Sequence, residues 1–483
     1  MADSILHKMF SSGIRSAHFV GICGTAMASA AAAMKEKGFT VTGSDQNVYP
    51  PMSTFLAERN IEAINGYAER NLAHRPDLIV IGNAISRGNP EAEFVLDHRL
   101  RYCSLPELLK EFFIRGKRSI VVAGTHGKTT TTSLLTWVFE HNGMNPSYLI
   151  GGIPNNLSQG ARFTDSEWFI IEGDEYDTAF FDKAPKFLHY HPDELILTSL
   201  EYDHADIYPD LASIELQFCR LVNLVPRRGR ILFWGESPEL RNVVAKAFCP
   251  VETFGLTPEC DWCAGDILWQ EEATEFRVAY RGKEVTRIRI PVAGRHNVLD
   301  ALAAVALAYG RGVECEAIER ALATFQSVRR RMEIKGEANG VLAVEDFAHH
   351  PTAIALTLEA ARIRWPGRKI WAAIEPRSNT MRRRIFQEKL PEALSLADAV
   401  LFGPVNRAQL LAEEDRLSPE DICTLIRARG HAAQAFNSAG EIAEYIASNA
   451  KPGDLVLVMS NGGFDGLTGK LLEKLSARVG TRE

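Results

Sequence analysis

Residues 124 to 130, Gly-Thr-His-Gly-Lys-Thr-Thr, have the composition and spacing of a phosphate-binding turn. They follow an apolar run that predicts a strand, and they precede apolar residues at helical spacing. Backbone N–H groups freed by Gly124 and Gly127 can face phosphate oxygens. Lys128 supplies a positive charge, and Thr129 offers a hydroxyl to a magnesium ion. The turn therefore predicts a nucleoside triphosphate site. The alternative is an ordinary strand-to-helix loop, because Val122 stands where the general P-loop has its first glycine.

Two groups of acidic residues follow the turn, each at the end of an apolar stretch. The first group has four carboxylates in six residues, Glu172, Asp174, Glu175 and Asp177. The second group contains Glu201, Asp203 and His204. Buried together, such carboxylates repel one another unless a cation offsets their charge. Because magnesium prefers oxygen ligands, these groups predict a magnesium ion beside the triphosphate. Solvated acidic loops are the alternative.

A second glycine turn, Gly-Ile-Cys-Gly-Thr-Ala-Met, lies at positions 21 to 27 after a predicted strand. It is similar to a dinucleotide-binding turn and has an acidic residue about 20 positions later. The third glycine of G-x-G-x-x-G is missing, so the turn suits a UDP-sugar as well as NAD. Another predicted strand, 78 to 81, also ends in a polar loop. The candidate UDP-sugar residues are Gly21, Cys23, Gly24, Thr25, Ala26, Asp45, Asn83 and Ser86.

The elements that must position these residues form three α/β blocks in series. Strands alternate with helices in each block, which predicts a mostly parallel sheet in each. The fold class is therefore α/β with three domains. We expect a Rossmann-like domain at 1–114, a central P-loop-type ATPase domain at 115–327 and a second Rossmann-like domain at 328–483.

Composition excludes several other classes of protein. The net charge of −7 over 483 residues gives no basic surface for nucleic acid. No apolar run approaches the ~20 residues of a membrane span, and residues 1 to 13 lack the order of a signal peptide. The eight cysteines fit reduced thiols, and the pair Cys260 and Cys263 has no partner at zinc spacing. We expect a cytoplasmic enzyme, whose oligomeric state the sequence does not specify.

The motifs together resemble the Mur ligases, the ATP-dependent amide-bond-forming enzymes of peptidoglycan synthesis. The resemblance covers nearly the whole chain and implies ATP and Mg²⁺ as cofactors. It implies magnesium ligation by Thr129, Glu172 and His204, and it makes Gly294-Arg-His-Asn297 the contact to adenine. The paired arginines Arg330 and Arg331 match the junction to the third domain. The implied ATP-binding residues are Gly124, Thr125, His126, Gly127, Lys128, Thr129, Thr130, His296, Asn297, Arg330 and Asp346.

Further motifs narrow the resemblance to one branch of the family. The segment 205 to 230 contains no lysine, whereas several Mur ligases carry a modified lysine there. Cys23 and the tail Met-Ser-Asn-Gly-Gly-Phe at 459 to 464 look like the recycling branch, which joins UDP-N-acetylmuramate to L-alanyl-gamma-D-glutamyl-meso-diaminopimelate. The alternatives are the branch that uses L-alanine and, from another class, a UDP-sugar sensor with ATP as effector. A nicotinamide-dependent oxidoreductase is a more distant alternative.

The chemistry implied is phosphorylation of the lactyl carboxylate by ATP, followed by attack of an amine on the acyl phosphate. The candidate catalytic residues are Lys128, Glu172, His204, Arg330 and His349. For His349 and His350, a structural role in the loop is equally compatible with position. A carboxylate-rich peptide is expected to contact arginines, and the candidate peptide-binding residues are Arg377, Ser378, Asn379, Thr380 and Asn461. Domain closure on ligand binding is also expected.

Overall fold

The computed structural model describes residues 13 to 477 and contains three large sheets flanked by helices, besides a two-stranded antiparallel hairpin. Each of the three large sheets is wholly or mostly parallel, which confirms the predicted α/β class and its three-domain arrangement. The domain limits near 114 and 327 stay a prediction. Most of the amino-terminal segment used in the signal-peptide argument lies outside the described residues. Among residues 13 to 477, no helix is both long enough and apolar enough to cross a membrane.

The first sheet has five parallel strands in the order β3-β2-β1-β4-β5. Its strands are β1 Ser16–Val20, β2 Thr40–Asp45, β3 Glu62–Asn65, β4 Leu78–Ile81 and β5 Tyr102–Ser104. Its helices are α1 Thr25–Glu36, α2 Met52–Ala57, α3 Pro90–Asp97 and α4 Leu105–Leu109. The order reverses between β1 and β4, and ligands bind at such a switch point in open α/β sheets. The glycine turn after β1 lies at this point.

The central sheet has ten strands in the order β17-β16-β15-β14-β13-β12-β6-β9-β7-β8. Its first strands are β6 Arg118–Ala123, β7 Ser147–Leu149, β8 Ala161–Arg162 and β9 Trp168–Gly173. The later strands are β12 Glu194–Leu197, β13 Arg230–Trp234, β14 Val251–Gly255, β15 Trp262–Trp269, β16 Thr274–Tyr280 and β17 Lys283–Ile290. A separate hairpin consists of β10 Asp177–Ala179 and β11 Asp182–Pro185. The helices are α5 Lys128–His141, α6 Leu211–Leu224, α7 Pro238–Val244, α8 Arg295–Gly310 and α9 Cys315–Ala323.

The central strands β6, β9 and β12 are buried apolar runs, as expected for a sheet covered on both faces. Helix α8 covers one face. Its residues from Ala301 to Ala308 are all buried, because alanine lets helix α5 pack close beside it. This packing fixes the first turn of α5 over the carboxyl ends of the strands.

The third sheet has the order β18-β19-β23-β20-β21-β22, and only β18 is antiparallel. Its strands are β18 Glu333–Ala338, β19 Val341–Asp346, β20 Ile370–Ile374, β21 Ala399–Phe402, β22 Ala432–Ala435 and β23 Leu455–Met459. Its helices are α10 Pro351–Arg364, α11 Leu390–Ala393, α12 Pro419–Ala428, α13 Ala439–Asn449 and α14 Leu467–Ala477. An apolar cluster covers each face of the sheet.

The two junctions between domains differ in chemistry. The first and central domains share one apolar cluster, in which the rings of Phe113 and Phe163 lie 4.5 Å apart. The central and third domains meet mainly through hydrogen bonds. At the linker, Pro154 and Val328 form an isolated antiparallel bridge, and the Arg329 amide donates to the Ile153 carbonyl at 3.0 Å. The linker is thereby attached to the loop that follows Gly151 and Gly152.

Candidate active site

The phosphate-binding turn connects β6 to α5 and needs glycine at two positions. Gly124 has φ +142°, and a Cβ there would lie 2.2 Å from the Thr198 hydroxyl. Gly127 has φ +80°, and its Cβ would lie 2.5 Å from an Asp300 oxygen. The turn is held to the end of β12 by the His126 amide, which donates to the Ser199 hydroxyl at 2.8 Å. The first turn of α5 therefore presents its N–H groups to a cavity of about 430 Å³.

That cavity lies between the central and third domains. Its lining contains thirteen of the residues predicted from the sequence: Thr125, His126, Gly127, Lys128, Thr129, Thr130, Glu172, His204, His296, Asn297, Asp346, His349 and Asn461. Gly124 and Arg330 are outside the lining. The structure thus brings most of the candidate ATP-binding residues to one cavity.

Lys128 is buried in an ion pair with Glu175. Its ammonium lies 2.8 Å from one Glu175 oxygen and also donates to the Gly124 carbonyl at 2.5 Å. Burial lowers the pKa of Lys128, but the charges of Glu175, Asp174 and Glu172 together outweigh burial, so this pKa lies above its usual value. Burial raises the pKa of Glu175, but Lys128 and His204 together outweigh burial, so this pKa lies below its usual value. Both groups are therefore charged, and a triphosphate must take Lys128 from Glu175.

The predicted magnesium ligands come together only in part. The Thr129 hydroxyl donates to Glu172 at 2.9 Å, and the Gly151 amide donates to the other Glu172 oxygen at 2.7 Å. His204 lies in the same cavity, but its Nε2 is 2.9 Å from Glu175. Burial raises the pKa of Glu172, although Lys128 opposes it, so this carboxylate would gain from a further cation. Thr129 and Glu172 thus supply the oxygen donors that magnesium prefers.

The far end of the cavity suits a nucleoside. Among residues 13 to 477, His296 Nδ1 has no hydrogen-bond partner although it is buried, and burial lowers the pKa of His296 to about 4. Asn297 donates to the Ala293 carbonyl at 2.6 Å and so fixes the start of α8. Asp346 accepts from the amides of Met332 and Ala348 at 2.9 and 2.8 Å. Asp346 therefore orders the linker, and His296 presents an unpaired polar atom.

The paired arginines point in different directions. The guanidinium of Arg330 donates to the carbonyls of Ser460 and Gly462 in the third domain. The neighbouring Arg331 lines the cavity instead. Both guanidinium groups lie 5.1 Å from the ring of Phe347. In this conformation Arg331, which the sequence-based site left out, lines the cavity together with Arg329 and Arg364.

The candidate peptide-binding residues divide between the cavity and the domain junction. Asn379 donates to Tyr176 and Asp206, each at 2.7 Å, and Thr380 donates to Asp203 at 2.6 Å. These bonds join the third domain to the central domain. The Ser378 hydroxyl accepts from the Met381 amide in a local turn. Arg377 is 40% exposed and lies 3.3 Å from Glu375.

A second cavity of about 420 Å³ lies between the first and central domains. Gly24, Thr25, Ala26 and Asn83 of the predicted UDP-sugar set line it, whereas Gly21, Cys23, Asp45 and Ser86 are outside its lining. Asp45 accepts from the Cys23 amide at 2.9 Å and so holds the glycine turn in shape. From the central domain the cavity receives Lys186, which the sequence-based site missed.

The two cavities meet at a shared wall. Gly151, Gly152, Glu172 and Asp174 line both of them. Lys186 pairs with Asp174 at 2.5 Å. Burial raises the pKa of Asp174, but Lys186 and Lys128 together with hydrogen bonds outweigh burial, so this pKa lies below its usual value. A Cβ on Gly151 would lie 3.0 Å from both Glu172 oxygens, so glycine permits this close approach. The adjacent glycines Gly151 and Gly152 are the feature of the sequence that could have predicted this wall.

Comparison with known proteins identifies the family. Residues 16–117 match the catalytic domain of the Mur ligase family, 122–308 match the Mur ligase middle domain, and 330–462 match the glutamate ligase domain of Mur ligases. A UDP-N-acetylmuramate--L-alanyl-gamma-D-glutamyl-meso-2,6-diaminoheptandioate ligase of Haemophilus influenzae is 41% identical, covering 95% of this chain and 99% of the relative. The Escherichia coli protein of that name is 42% identical, covering 96% of this chain and 98% of the relative.

The structure of a murein peptide ligase from Psychrobacter arcticus superimposes with a TM-score of 0.70 at 37% identity. It covers 96% of this chain and 99% of that chain. These similarities extend over all three domains and confirm the resemblance drawn from the motifs. The chain belongs to the Mur ligase family of ligases.

Proposed function

We propose that this chain is an ATP-dependent ligase that joins the lactyl carboxylate of UDP-N-acetylmuramate to L-alanyl-gamma-D-glutamyl-meso-diaminopimelate. The observation that carries the proposal is the wall shared by the two cavities. A nucleotide in the cavity beside Lys128 and a sugar nucleotide in the cavity beside Gly24 would meet at Glu172. The relatives at 41 and 42% identity support the tripeptide as the amine.

A carboxylate is a poor electrophile, because its charge is delocalised and oxide would have to leave. Transfer of the γ-phosphoryl group to the lactyl carboxylate gives an acyl phosphate, from which phosphate leaves when the amine attacks. This transfer depends on positioning and charge neutralisation. Lys128 and Arg331 line the cavity and supply positive charge, and the N–H groups of α5 face the phosphates. Thr129 and Glu172 would hold Mg²⁺, which supplies further positive charge beside the transferred group.

The attacking amine must lose a proton. His349 lines the cavity, and burial lowers its pKa below the usual value, so its imidazole is neutral near pH 7. Its Nε2 lies 3.8 Å from Asp203, which is close enough to stabilise the imidazolium once it forms. We assign proton acceptance to His349. Its neighbour His350 caps α10 through its side chain and lies outside the cavity lining.

The peptide carboxylates would bind at the end of β20. Arg377 is the half-exposed cation there, and Asn461 lines the adjoining part of the cavity. Asn379 and Thr380 would act by holding the third domain in register with the central domain. The domain limits 1–114, 115–327 and 328–483 belong to the same proposal, because each limit separates two of the sheets.

The decisive experiment measures phosphate release from ATP with UDP-N-acetylmuramate and either the tripeptide or L-alanine. Strong dependence on the tripeptide is expected. Equal or faster release with L-alanine would assign the chain to the alanine-ligase branch. ADP formation without any amine would instead favour the sensor.

Two substitutions test the assignment of residues. Lys128→Ala should abolish phosphate release, whereas the 70% exposed Lys183, changed to alanine, serves as the control and should leave it unchanged. Arg331→Ala should raise the KM for ATP, because its guanidinium lines the nucleotide cavity. A full rate in Lys128→Ala would remove the phosphate-binding turn from the mechanism.

A further inference from the structure

Three side chains come together where the phosphate-binding turn meets the third domain. They are His126 in the turn, Glu201 after β12 and His350 at the start of α10, and we call them the His126–Glu201–His350 cluster. One ligand atom from each lies within 4.8 Å of the other two. His126 Nε2 is 3.3 Å and His350 Nδ1 is 3.4 Å from the same Glu201 oxygen. The reaction proposed above uses neither Glu201 nor His350.

The spacing in this cluster suits a metal ion better than direct ion pairs. Charge-assisted hydrogen bonds between nitrogen and carboxylate are about 2.7–2.9 Å long, so 3.3 and 3.4 Å are long contacts. A tetrahedral ion with bonds of about 2.0–2.2 Å places its ligand atoms about 3.3–3.6 Å apart. The two nitrogen-to-oxygen separations therefore match the edge of such a tetrahedron, and the two histidine nitrogens lie within 4.8 Å of each other.

The protonation of His350 also favours a cation. Its Nε2 lies 3.3 Å from the Tyr202 carbonyl and must donate there, which leaves the lone pair on Nδ1. This Nδ1 also lies 3.4 Å from a Glu201 oxygen, and two acceptors repel each other at this distance. The only hydrogen bond to this Nδ1 among the described residues is the long one, 3.3 Å, from the Thr352 amide. A cation between the two acceptors would turn the repulsion into ligation.

A neighbouring hydroxyl orients the Glu201 ligand. The Thr352 hydroxyl donates to the ligating Glu201 oxygen at 2.7 Å. Such outer contacts fix the orientation of metal ligands.

We infer that the His126–Glu201–His350 cluster binds a divalent transition-metal ion of the zinc class, with three protein ligands and one open position. Two imidazoles and one carboxylate suit zinc, whereas magnesium takes oxygen ligands. The site is therefore distinct from the oxygen donors Thr129 and Glu172. Because His126 and Glu201 belong to the central domain and His350 to the third, the ion would also join the two domains. The inference does not depend on the ligase activity.

The test uses the full chain, stripped of metal by a chelator and then titrated with Zn²⁺ in excess Mg²⁺ against a chromophoric chelator. One tight equivalent is expected, together with a rise in the unfolding temperature. Co²⁺ in place of Zn²⁺ should give the intense visible absorption of a tetrahedral site. Glu201→Gln should weaken Zn²⁺ binding more than about 100-fold, because loss of an outer partner alone costs about 10–100-fold.

Matched variants make the result specific to the cluster. Glu201→Gln keeps the size of the side chain and its acceptor for Thr352, and His350→Gln is the second ligand variant. Two control variants change possible zinc ligands outside the cluster. His141→Gln alters an exposed histidine at the end of α5, and Cys263→Ser removes one thiol of the pair Cys260 and Cys263. Both controls should bind Zn²⁺ as tightly as the unsubstituted chain does. Unchanged affinity in folded Glu201→Gln, or loss of the tight site in Cys263→Ser, would overturn the inference. Should both ligand variants fail to fold, a weak octahedral-type Co²⁺ spectrum of the unsubstituted chain would overturn it equally.

Discussion

Replacing Glu175 by glutamine tests whether the buried ion pair with Lys128 holds the phosphate-binding turn ready for a triphosphate. The change keeps the shape of the side chain and removes one charge. Tyr208 donates to the backbone carbonyl of residue 175, so that contact survives the change. The variant leaves the Lys128 ammonium buried, with carbonyl oxygens and an amide as neighbours.

The geometry sets the expected magnitude. At 2.8 Å and an effective dielectric constant of about 20, the attraction is about 6 kcal/mol. Desolvation of the two groups offsets part of it, and loss of one partner of a buried pair typically costs about 3–5 kcal/mol. The side chains of Lys128 and Glu175 are only 13% and 3% exposed, so solvent screens the pair weakly. We expect Glu175→Gln to lower the free energy of unfolding of the central domain by this amount in the absence of nucleotide.

Nucleotide should reverse the loss. In the unsubstituted chain a phosphate must compete with Glu175 for Lys128, and in Glu175→Gln the carboxylate in direct contact with Lys128 is gone while Asp174 and Glu172 remain nearby. Each 1.4 kcal/mol recovered corresponds to about tenfold tighter binding. Calorimetric unfolding with and without Mg-ATP, together with a nucleotide titration, measures both effects.

The double variant Lys128→Met/Glu175→Gln is the control. Removing both charges leaves no unpaired ion, so the unfolding temperature of the double variant should approach that of the unsubstituted chain. ATP should no longer stabilise the double variant. The reasoning is refuted if Glu175→Gln unfolds at the original temperature and binds ATP with the original affinity.

Two further substitutions test the nucleotide and peptide regions. Burial raises the pKa of Asp300 from 3.8 to about 7. The free energy by which Asp300 destabilises the folded chain therefore grows between about pH 4 and pH 7 and stays constant above pH 7. Asp300→Asn should therefore stabilise the chain by on the order of 4 kcal/mol at pH 8 and by less at pH 5 in denaturant unfolding, and an equal effect at both would contradict this. A Cβ on Gly462 would lie 2.1 Å from Arg377 Nε, so Gly462→Ala should displace this flexible side chain and raise the KM for tripeptide several-fold. Gly469→Ala, where a Cβ has nothing within 4 Å, should leave that KM unchanged; equal KM values in the two variants would exclude Arg377 from the peptide site.

The sequence predicted the parts of the fold that depend on buried parallel strands. The predicted strand 78 to 81 coincides with β4. Each such strand can be predicted from its own short segment of sequence, because a buried parallel strand is a continuous apolar run that ends in a turn rich in glycine. The antiparallel extension β15 to β17 was not predicted. Its signal was present, because Thr286, Ile288 and Ile290 are buried in alternation with exposed residues.

Parts of the site depended on geometry that sequence spacing does not carry. Arg330 and Arg331 are adjacent, but the Arg330 guanidinium donates to the third domain, whereas Arg331 lines the cavity. Glu172 and Glu175 belong to one acidic run, yet Glu172 contacts Thr129 and Glu175 contacts Lys128. Which carboxylate meets which partner is set by the bend of the chain after β9.

The bridge between Pro154 and Val328 joins the linker of the third domain to the loop that lies between the two cavities. A movement of the third domain on ligand binding would displace Val328, and through Pro154 it would displace Gly151 and Gly152 in the wall between the two cavities. A ligand in one cavity would thereby alter the affinity of the other cavity. Binding of a UDP-sugar in the second cavity should therefore shift the third domain before the amine binds. The bridge thus predicts a preferred order of substrate addition.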